Sequence, residues 1–295
     1  LDPFATPEPL DLKRWSGSLT YGFAGRRWRF GEVERRLGLL LDDIDAQQVD
    51  HVLCTGDLTA LAFDEELARA ARAFGPRLAE PARYTVLPGN HDRYTREAVR
   101  RRTFERAFGG VSSTTWPWVR ALAPGVTLIA LDVTRATAPM DSSGLVGDVQ
   151  LDALARRLAA LPPAGAVVDG ADVPPGGVTI VALHYGLYTK HGRPDTRAHG
   201  LRDAAELRAV LAPLEGRTHL VLHGHLHDAF ALADYPLHVR CAGSATDLKR
   251  AAGYDVYTID ARGVAAERRV WDRAAARYVR GPDVPRVAVT RPLGA

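Results

Sequence analysis

The chain has 295 residues, of which 46% are hydrophobic and 25% charged, and its net charge is +3. That balance is typical of a globular protein with a large core, and it excludes a disordered chain, a collagen and a disulfide scaffold. The small positive excess is almost wholly arginine, with Lys13, Lys190 and Lys249 the only lysines. It is spread along the chain, so it forms no nucleic-acid-binding stripe, and no apolar run approaches the ~18 residues of a membrane helix.

Residues 1–20, rich in Pro and polar side chains, are expected to be irregular. Val33, Leu37, Leu40, Leu41 and Ile44 then recur at helical spacing. A β-type run at 51–55 closes on Gly56 and Asp57, and Asp64 is placed to cap a helix carrying Leu67, Ala71 and Phe74. A strand at 83–87 ends in Pro88-Gly89-Asn90-His91-Asp92, followed by a basic helical stretch over 93–108. A strand at 126–131 precedes a helix over 148–161 and a Pro- and Gly-dense excursion over 162–177. A continuous apolar strand at 178–183 ends at His184. A helix over 201–211 then leads to a strand at 219–222 that ends in His223-Gly224-His225-Leu226-His227. Runs at 237–241, 255–259 and 265–270 read as successive strands without helices between them, and 281–295 as a Pro-containing tail. Cys54 and Cys241 read as two buried thiols in strands, with a single disulfide left open.

Strand–helix alternation over most of the chain predicts an α/β fold with a largely parallel sheet, and the later strands a second, partly antiparallel one. Residues 1–280 are expected to form one domain, with 281–295 a C-terminal tail.

The chemistry lies at the ends of the strands. Asp57, the Asn90-His91-Asp92 run, His184 and the His225/His227 pair each fall just past a predicted strand, where α/β sheets bind ligands. Gly56, Gly89 and Gly224 let the backbone turn sharply as it leaves each strand. Asp and Asn oxygens with neutral imidazoles suit Mn, Fe, Zn, Ni or Co better than Ca or Cu(I). His225 and His227, two residues apart in an extended turn, point to neighbouring ions more readily than to one. Any of these histidines taken singly would be structural or solvated. Four blocks in order at strand ends are not explained that way.

These blocks, Gly56-Asp57, Gly89-Asn90-His91-Asp92, His184 and Gly224-His225-Leu226-His227, resemble the calcineurin-like metallophosphoesterase superfamily in its bacterial GNHD form. The resemblance implies a four-layer αββα sandwich of two mixed sheets flanked by helices. It also implies a dinuclear centre of two divalent ions, manganese or iron first. Asp57 would bridge the ions, Asn90, His184 and His225 would complete the second, and His227 would bind the first. His91 would be a catalytic residue outside the ligand set, protonating the leaving oxygen. Arg93, Arg202 and His199 lie on loops expected to rim the crevice and are candidates for substrate binding. The superfamily's D-x-H block is missing: Asp2-Pro3-Phe4 comes nearest, and Phe cannot ligate. The first strand and its two ligands are therefore expected upstream of Leu1.

The resemblance implies a metal-dependent phosphohydrolase, first of all a phosphodiesterase acting on a phosphate-ester small molecule, a nucleotide or a nucleotide-lipid. The block GDLTALA differs from the GDxVDRG of protein phosphatases. A nucleotide-lipid pyrophosphatase of the lipid A type is the second reading. There Leu10, Leu12, Trp15, Trp116 and Trp118 would form an apolar cap, although core packing is the favoured role for these residues. A degenerate metal-binding scaffold is the third. The expected location is the cytoplasm, with peripheral membrane association or an upstream leader as alternatives.

Overall fold

A computed structural model describes residues 12–23, 32–247 and 249–294. In chain order the first half contains α1 (Leu12–Phe23), α2 (Val33–Ala46), β1 (Val52–Cys54), α3 (Asp64–Phe74), β2 (Tyr84–Val86), α4 (Arg96–Arg101), α5 (Thr103–Phe108), β3 (Trp118–Ala123) and β4 (Val126–Ala130). The second half contains α6 (Asp148–Ala159), β5 (Val178–Ala182), α7 (Ala204–Val210), β6 (His219–His223), β7 (Ala229–Ala233), β8 (Val239–Ala242), β9 (Gly253–Asp260), β10 (Gly263–Asp272), β11 (Arg277–Arg280) and β12 (Arg286–Ala288).

The large sheet has the order β12-β7-β8-β6-β5-β4-β3. Its centre, β8-β6-β5-β4, is parallel, while β3 and β7 pair antiparallel with β4 and β8. β1 and β2 form a parallel pair, and β9, β10 and β11 an antiparallel sheet. Alternation along the central strands sorts the core into layers. Ile129, Val181 and Val221 face one way, against Leu154 and Leu158 of α6 and Leu207 of α7. Leu128, Ala130, Ile180 and Leu220 face the other way, against Leu53, Tyr257, Ile259 and Val264 of the smaller sheets. Beyond those sheets Leu41, Leu67, Phe74, Phe104 and Phe108 of α2, α3 and α5 close over Tyr84 and Val86. The order is helix, sheet, sheet, helix: the four-layer αββα sandwich implied by the resemblance.

Several elements differ from the expectation. Residues 12–23 are the helix α1, not an irregular segment. Arg14 anchors it by donating to the carbonyls of Leu61 (3.1 Å) and Ala62 (2.9 Å), contacts far away in sequence. The basic stretch is two short helices broken at Arg102, which takes a left-handed φ of 50°. β3 went unrecognised because an edge strand with one solvated face lacks a continuous apolar run, and Arg120 sits at its middle. Trp116 and Trp118 pack between the sheets rather than forming a cap. The tail contributes β12, parallel to β7. Cys54 and Cys241 are both free thiols. Burial pushes them up to about 11 and about 12. No helix among the described residues is long and apolar enough to cross a membrane.

Candidate metal centre

The loops after β1 and β2 are built on each other. Gly56 and Asp57 both turn through left-handed backbone, with φ of 99° and 64°. A Cβ on Gly56 would stand 2.4 Å from the Gly89 nitrogen, and one on Gly89 would stand 2.1 Å from Asp57 Oδ1, so neither position admits a side chain. Asp92, fully buried, ties the two turns together. Its Oδ2 accepts from the N–H groups of Asp57 and Gly89 (both 2.8 Å), and its Oδ1 from those of Leu58 and Thr59 (both 2.9 Å). Asp92 is therefore a joint of the two loops rather than a helix cap. The cap of α4 is Thr95, whose hydroxyl accepts from the Ala98 N–H at 3.1 Å.

Asp57 Oδ1 accepts from the His91 N–H at 3.0 Å, and its Oδ2 lies 3.4 Å from His184 Nε2. Asn90 Oδ1 stands 3.0 Å from His184 Nε2 and 3.0 Å from His225 Nδ1. The other nitrogen of each imidazole sets its tautomer. His184 Nδ1 donates to the Thr55 carbonyl at 2.6 Å, and His225 Nε2 donates to the His199 carbonyl at 3.1 Å. A carbonyl can only accept, so His184 Nε2 and His225 Nδ1 both present lone pairs in the neutral rings. Four acceptor atoms, from Asp57, Asn90, His184 and His225, thus converge on one point. Such a cluster is repulsive unless a cation or a proton sits within it, and its donors fit a borderline-hard divalent ion.

The electrostatics agree. Burial opposes charge on Asp57, but the imidazoles of His184, His91 and His225 hold its carboxyl well below the usual carboxylate range. Burial opposes charge on His184 too, yet the Asp57 carboxylate keeps it above its ordinary value. His225 is held well below its ordinary value by burial and then by His184 and His199, so its ring is neutral.

His225 and His227 both take left-handed φ, at 66° and 60°, and their rings diverge. His225 joins Asn90. His227 lies in the same cleft with its Nδ1 3.8 Å from the fully buried Asp247. His91 donates from Nδ1 to the Ala60 carbonyl at 2.6 Å and stacks on Tyr94 with ring centroids 5.5 Å apart. Those contacts hold the ring at the cleft wall without placing it in the ligand cluster.

The cleft measures about 440 Å3 and brings Asp57, Asn90, His91, His225 and His227 together under α1. His199 also lines it, its Nδ1 bonded to Asp195 at 2.6 Å. Arg93 does not: its guanidinium pairs with Asp132 and Glu105. Arg202 stands one layer behind the wall, bonded to Asp141 at 2.6 Å and Ser143 at 2.9 Å. The basic groups in the wall are Lys13 and Arg250, which sequence patterning did not single out. Lys13 donates to Thr137 Oγ1 at 2.7 Å and Arg250 pairs with Asp228. Neither residue neighbours a motif, so only the fold reveals them. The same holds for Asp195 and Asp247.

Residues 29–229 match the family of calcineurin-like phosphoesterases, well over half of the chain. The chain belongs to this family. The calcineurin-like phosphoesterases are metal-dependent phosphoester hydrolases. Among solved structures the chain is similar to PhoD, at 12% identity and a TM-score of 0.37, over 70% of this chain and 57% of that one. It is also similar to a proposed 5'-nucleotidase from Staphylococcus aureus, at 15% identity and a TM-score of 0.42, over 83% of this chain and 47% of that one. The chain thus spans about half the length of each. No curated protein matches it.

Proposed function

We propose that this calcineurin-like phosphoesterase is a phosphodiesterase working through two divalent ions. The observation that carries the reading is the convergence of Asp57, Asn90, His184 and His225 lone pairs at one end of an open cleft. These four residues would hold one ion, and Asp57 and His227 would contribute to the other. When bound, the pair supplies Lewis acidity and brings the pKa of water towards neutrality.

The chain's own residues do the rest. Asp57 is kept ionised by the imidazoles around it, so its carboxylate is available over the whole physiological range. His91, fixed by the Ala60 carbonyl and the Tyr94 ring, has Nε2 left, and from there its imidazolium form would give a proton to the departing oxygen and return to the neutral ring. A diester presents one negative charge and a leaving group that needs that proton. The wall suits a single charge. Lys13 and Arg250 are already engaged, and Arg93 and Arg202 are neutralised by carboxylates, so among the described residues no bidentate guanidinium cluster awaits a dianion.

The test is turnover of bis(p-nitrophenyl) phosphate and p-nitrophenyl phosphate with manganese present. The diester should be hydrolysed faster, and His91→Ala should lower kcat by about 10²–10⁴-fold with bound manganese unchanged. Preference for the monoester would overturn the diester assignment. Undiminished turnover in the variant would remove His91 from the mechanism.

A further inference from the structure

Met140 is the only methionine in the chain. It is 93% exposed, more than any other large apolar side chain among the described residues. It stands in the loop after β4 and lines the cleft beside Asp141 and Ser142. A single exposed apolar side chain is ordinary on a surface. The backbone beneath this one is not. Met140 takes a left-handed φ of 66°, a conformation that Gly or Asn adopts more readily. Asp57, His225 and His227 share that conformation and line the same cleft. At those three positions the turn presents a candidate metal ligand. At Met140 the same turn presents a thioether. Backbone strain of this kind gathers at functional sites, where the surroundings enforce it.

The surroundings enforce it here. Asp141 N–H donates to the Ala138 carbonyl (3.1 Å), and Ser142 N–H to the Ala198 carbonyl (2.8 Å). Asp141 Oδ1 accepts from the Ser143 N–H (2.9 Å) and hydroxyl (2.7 Å), and its Oδ2 accepts from Arg202 (2.6 Å). The Asp141 carbonyl accepts from Lys13 (3.4 Å) and from the Thr137 hydroxyl. Every polar group of Asp141 is thus held, and Pro139 fixes its own φ on the other side of Met140. Met140 stands on a rigid base, ordered before any ligand arrives. Its unbranched, polarisable side chain adapts to apolar groups of varied shape.

The rest of the cleft decides what it meets. His91, the proton donor to the departing oxygen, stands on the loop after β2, stacked on Tyr94. Met140 stands across from it on the loop after β4. The group that reaches Met140 is therefore the alcohol that stays on phosphorus. Arg202 and Lys13 are both used in holding Asp141, so this lip offers a substrate apolar surface.

We infer that Met140 is a specificity-determining residue that receives an apolar group on the retained alcohol of the substrate. The substrate class is then a small phosphodiester whose retained ester group is aryl, or alkyl larger than methyl. The inference rests on the diesterase reading of this centre.

Two diesters with one leaving group test it: phenyl p-nitrophenyl phosphate and methyl p-nitrophenyl phosphate, with manganese present. The wild type should prefer the phenyl ester by at least about tenfold in kcat/KM. Met140→Asn suits the left-handed backbone and removes the apolar side chain. It should lower that preference at least about fivefold by raising KM for the phenyl ester, with the methyl ester unchanged within about twofold. Met140→Leu should keep the preference. A wild type without preference, a preference that the Asn variant retains, or an equal loss on both esters overturns the inference. Calorimetric titration of the manganese-loaded protein with methyl phenylphosphonate and methyl methylphosphonate makes the same comparison without turnover. The phenyl compound should bind the wild type at least about tenfold more tightly and lose that margin in Met140→Asn. Equal binding by the wild type, or a margin kept by the variant, overturns the inference. If neither diester is hydrolysed while the phosphonate margin holds, the diesterase reading falls and the contact of Met140 with the apolar group stands.

Discussion

Asn90 Oδ1 stands 3.0 Å from His184 Nε2 and 3.0 Å from His225 Nδ1, although the three residues come from loops 94 and 135 positions apart from Asn90. An amide oxygen has no proton to give, and the two imidazole nitrogens are lone-pair acceptors in their neutral tautomers. Their proximity is therefore a statement about what the site holds.

Asn90→Ala should cost at least about tenfold in manganese affinity at this position, because it removes one of four donors from an otherwise fixed set. Isothermal titration against the wild type measures it. An affinity that does not change would mean that Asn90 is not a ligand.

Metal binding should also consume alkalinity. The Asp57 carboxylate raises the proton affinity of His184, so an incoming ion must displace a proton there. Affinity should fall by up to about tenfold per pH unit once the pH drops below that raised value. Titrations in buffers of differing ionisation enthalpy should show about one proton released per ion. A release of none would mean that His184 is already neutral before the ion arrives.

Asp92→Ala should destabilise the protein by roughly 3 kcal/mol or more, since four backbone N–H groups lose their acceptor at once. Asp92→Asn should lose less, because one amide oxygen still accepts. Urea unfolding orders the three proteins, and a loss under 1 kcal/mol in the alanine variant would mean that the turns do not depend on this joint.

His219 gives a pH dependence far from the cleft. It donates from Nδ1 to the Arg217 carbonyl (2.9 Å) and accepts at Nε2 from the His238 N–H (3.2 Å), so the neutral ring is the form that fits. Burial lowers it from 6.5 to about 4. Below pH 6.5 the unfolded chain binds a proton that the folded chain refuses, so stability is complete above that value and declines towards pH 4. The slope is at most about 1.4 kcal/mol per pH unit for this one group. His219→Gln should flatten the decline between pH 6.5 and 4, measured by denaturation against the wild type.

The site was legible because strand ends in an α/β sheet converge whatever lies between them. Asp57, Asn90, His184, His225 and His227 could be read from four short blocks, each behind an apolar run. The parallel centre of the large sheet followed from the strand–helix alternation, but the order of its strands did not. Residues that act through long-range contacts were not legible. Lys13 reaches the cleft because Arg14 clamps α1 to the carbonyls of Leu61 and Ala62, and no local pattern encodes that clamp. Arg93 and Arg202 looked available because sequence gives position but not partner. The carboxylates that claim them, Asp132 and Asp141, come from a different part of the chain. β3 and β12 are edge strands, defined by their neighbours more than by their own composition.

The two thiols bear on how the protein meets oxidants and soft metals. With Cys54 at about 11 and Cys241 at about 12, almost no thiolate exists at neutral pH. Sulfur here does not compete with the imidazoles for copper or cadmium, and peroxide finds no sulfur nucleophile in either strand. Met140, exposed at the mouth of the cleft, is then the sulfur that an oxidant meets first.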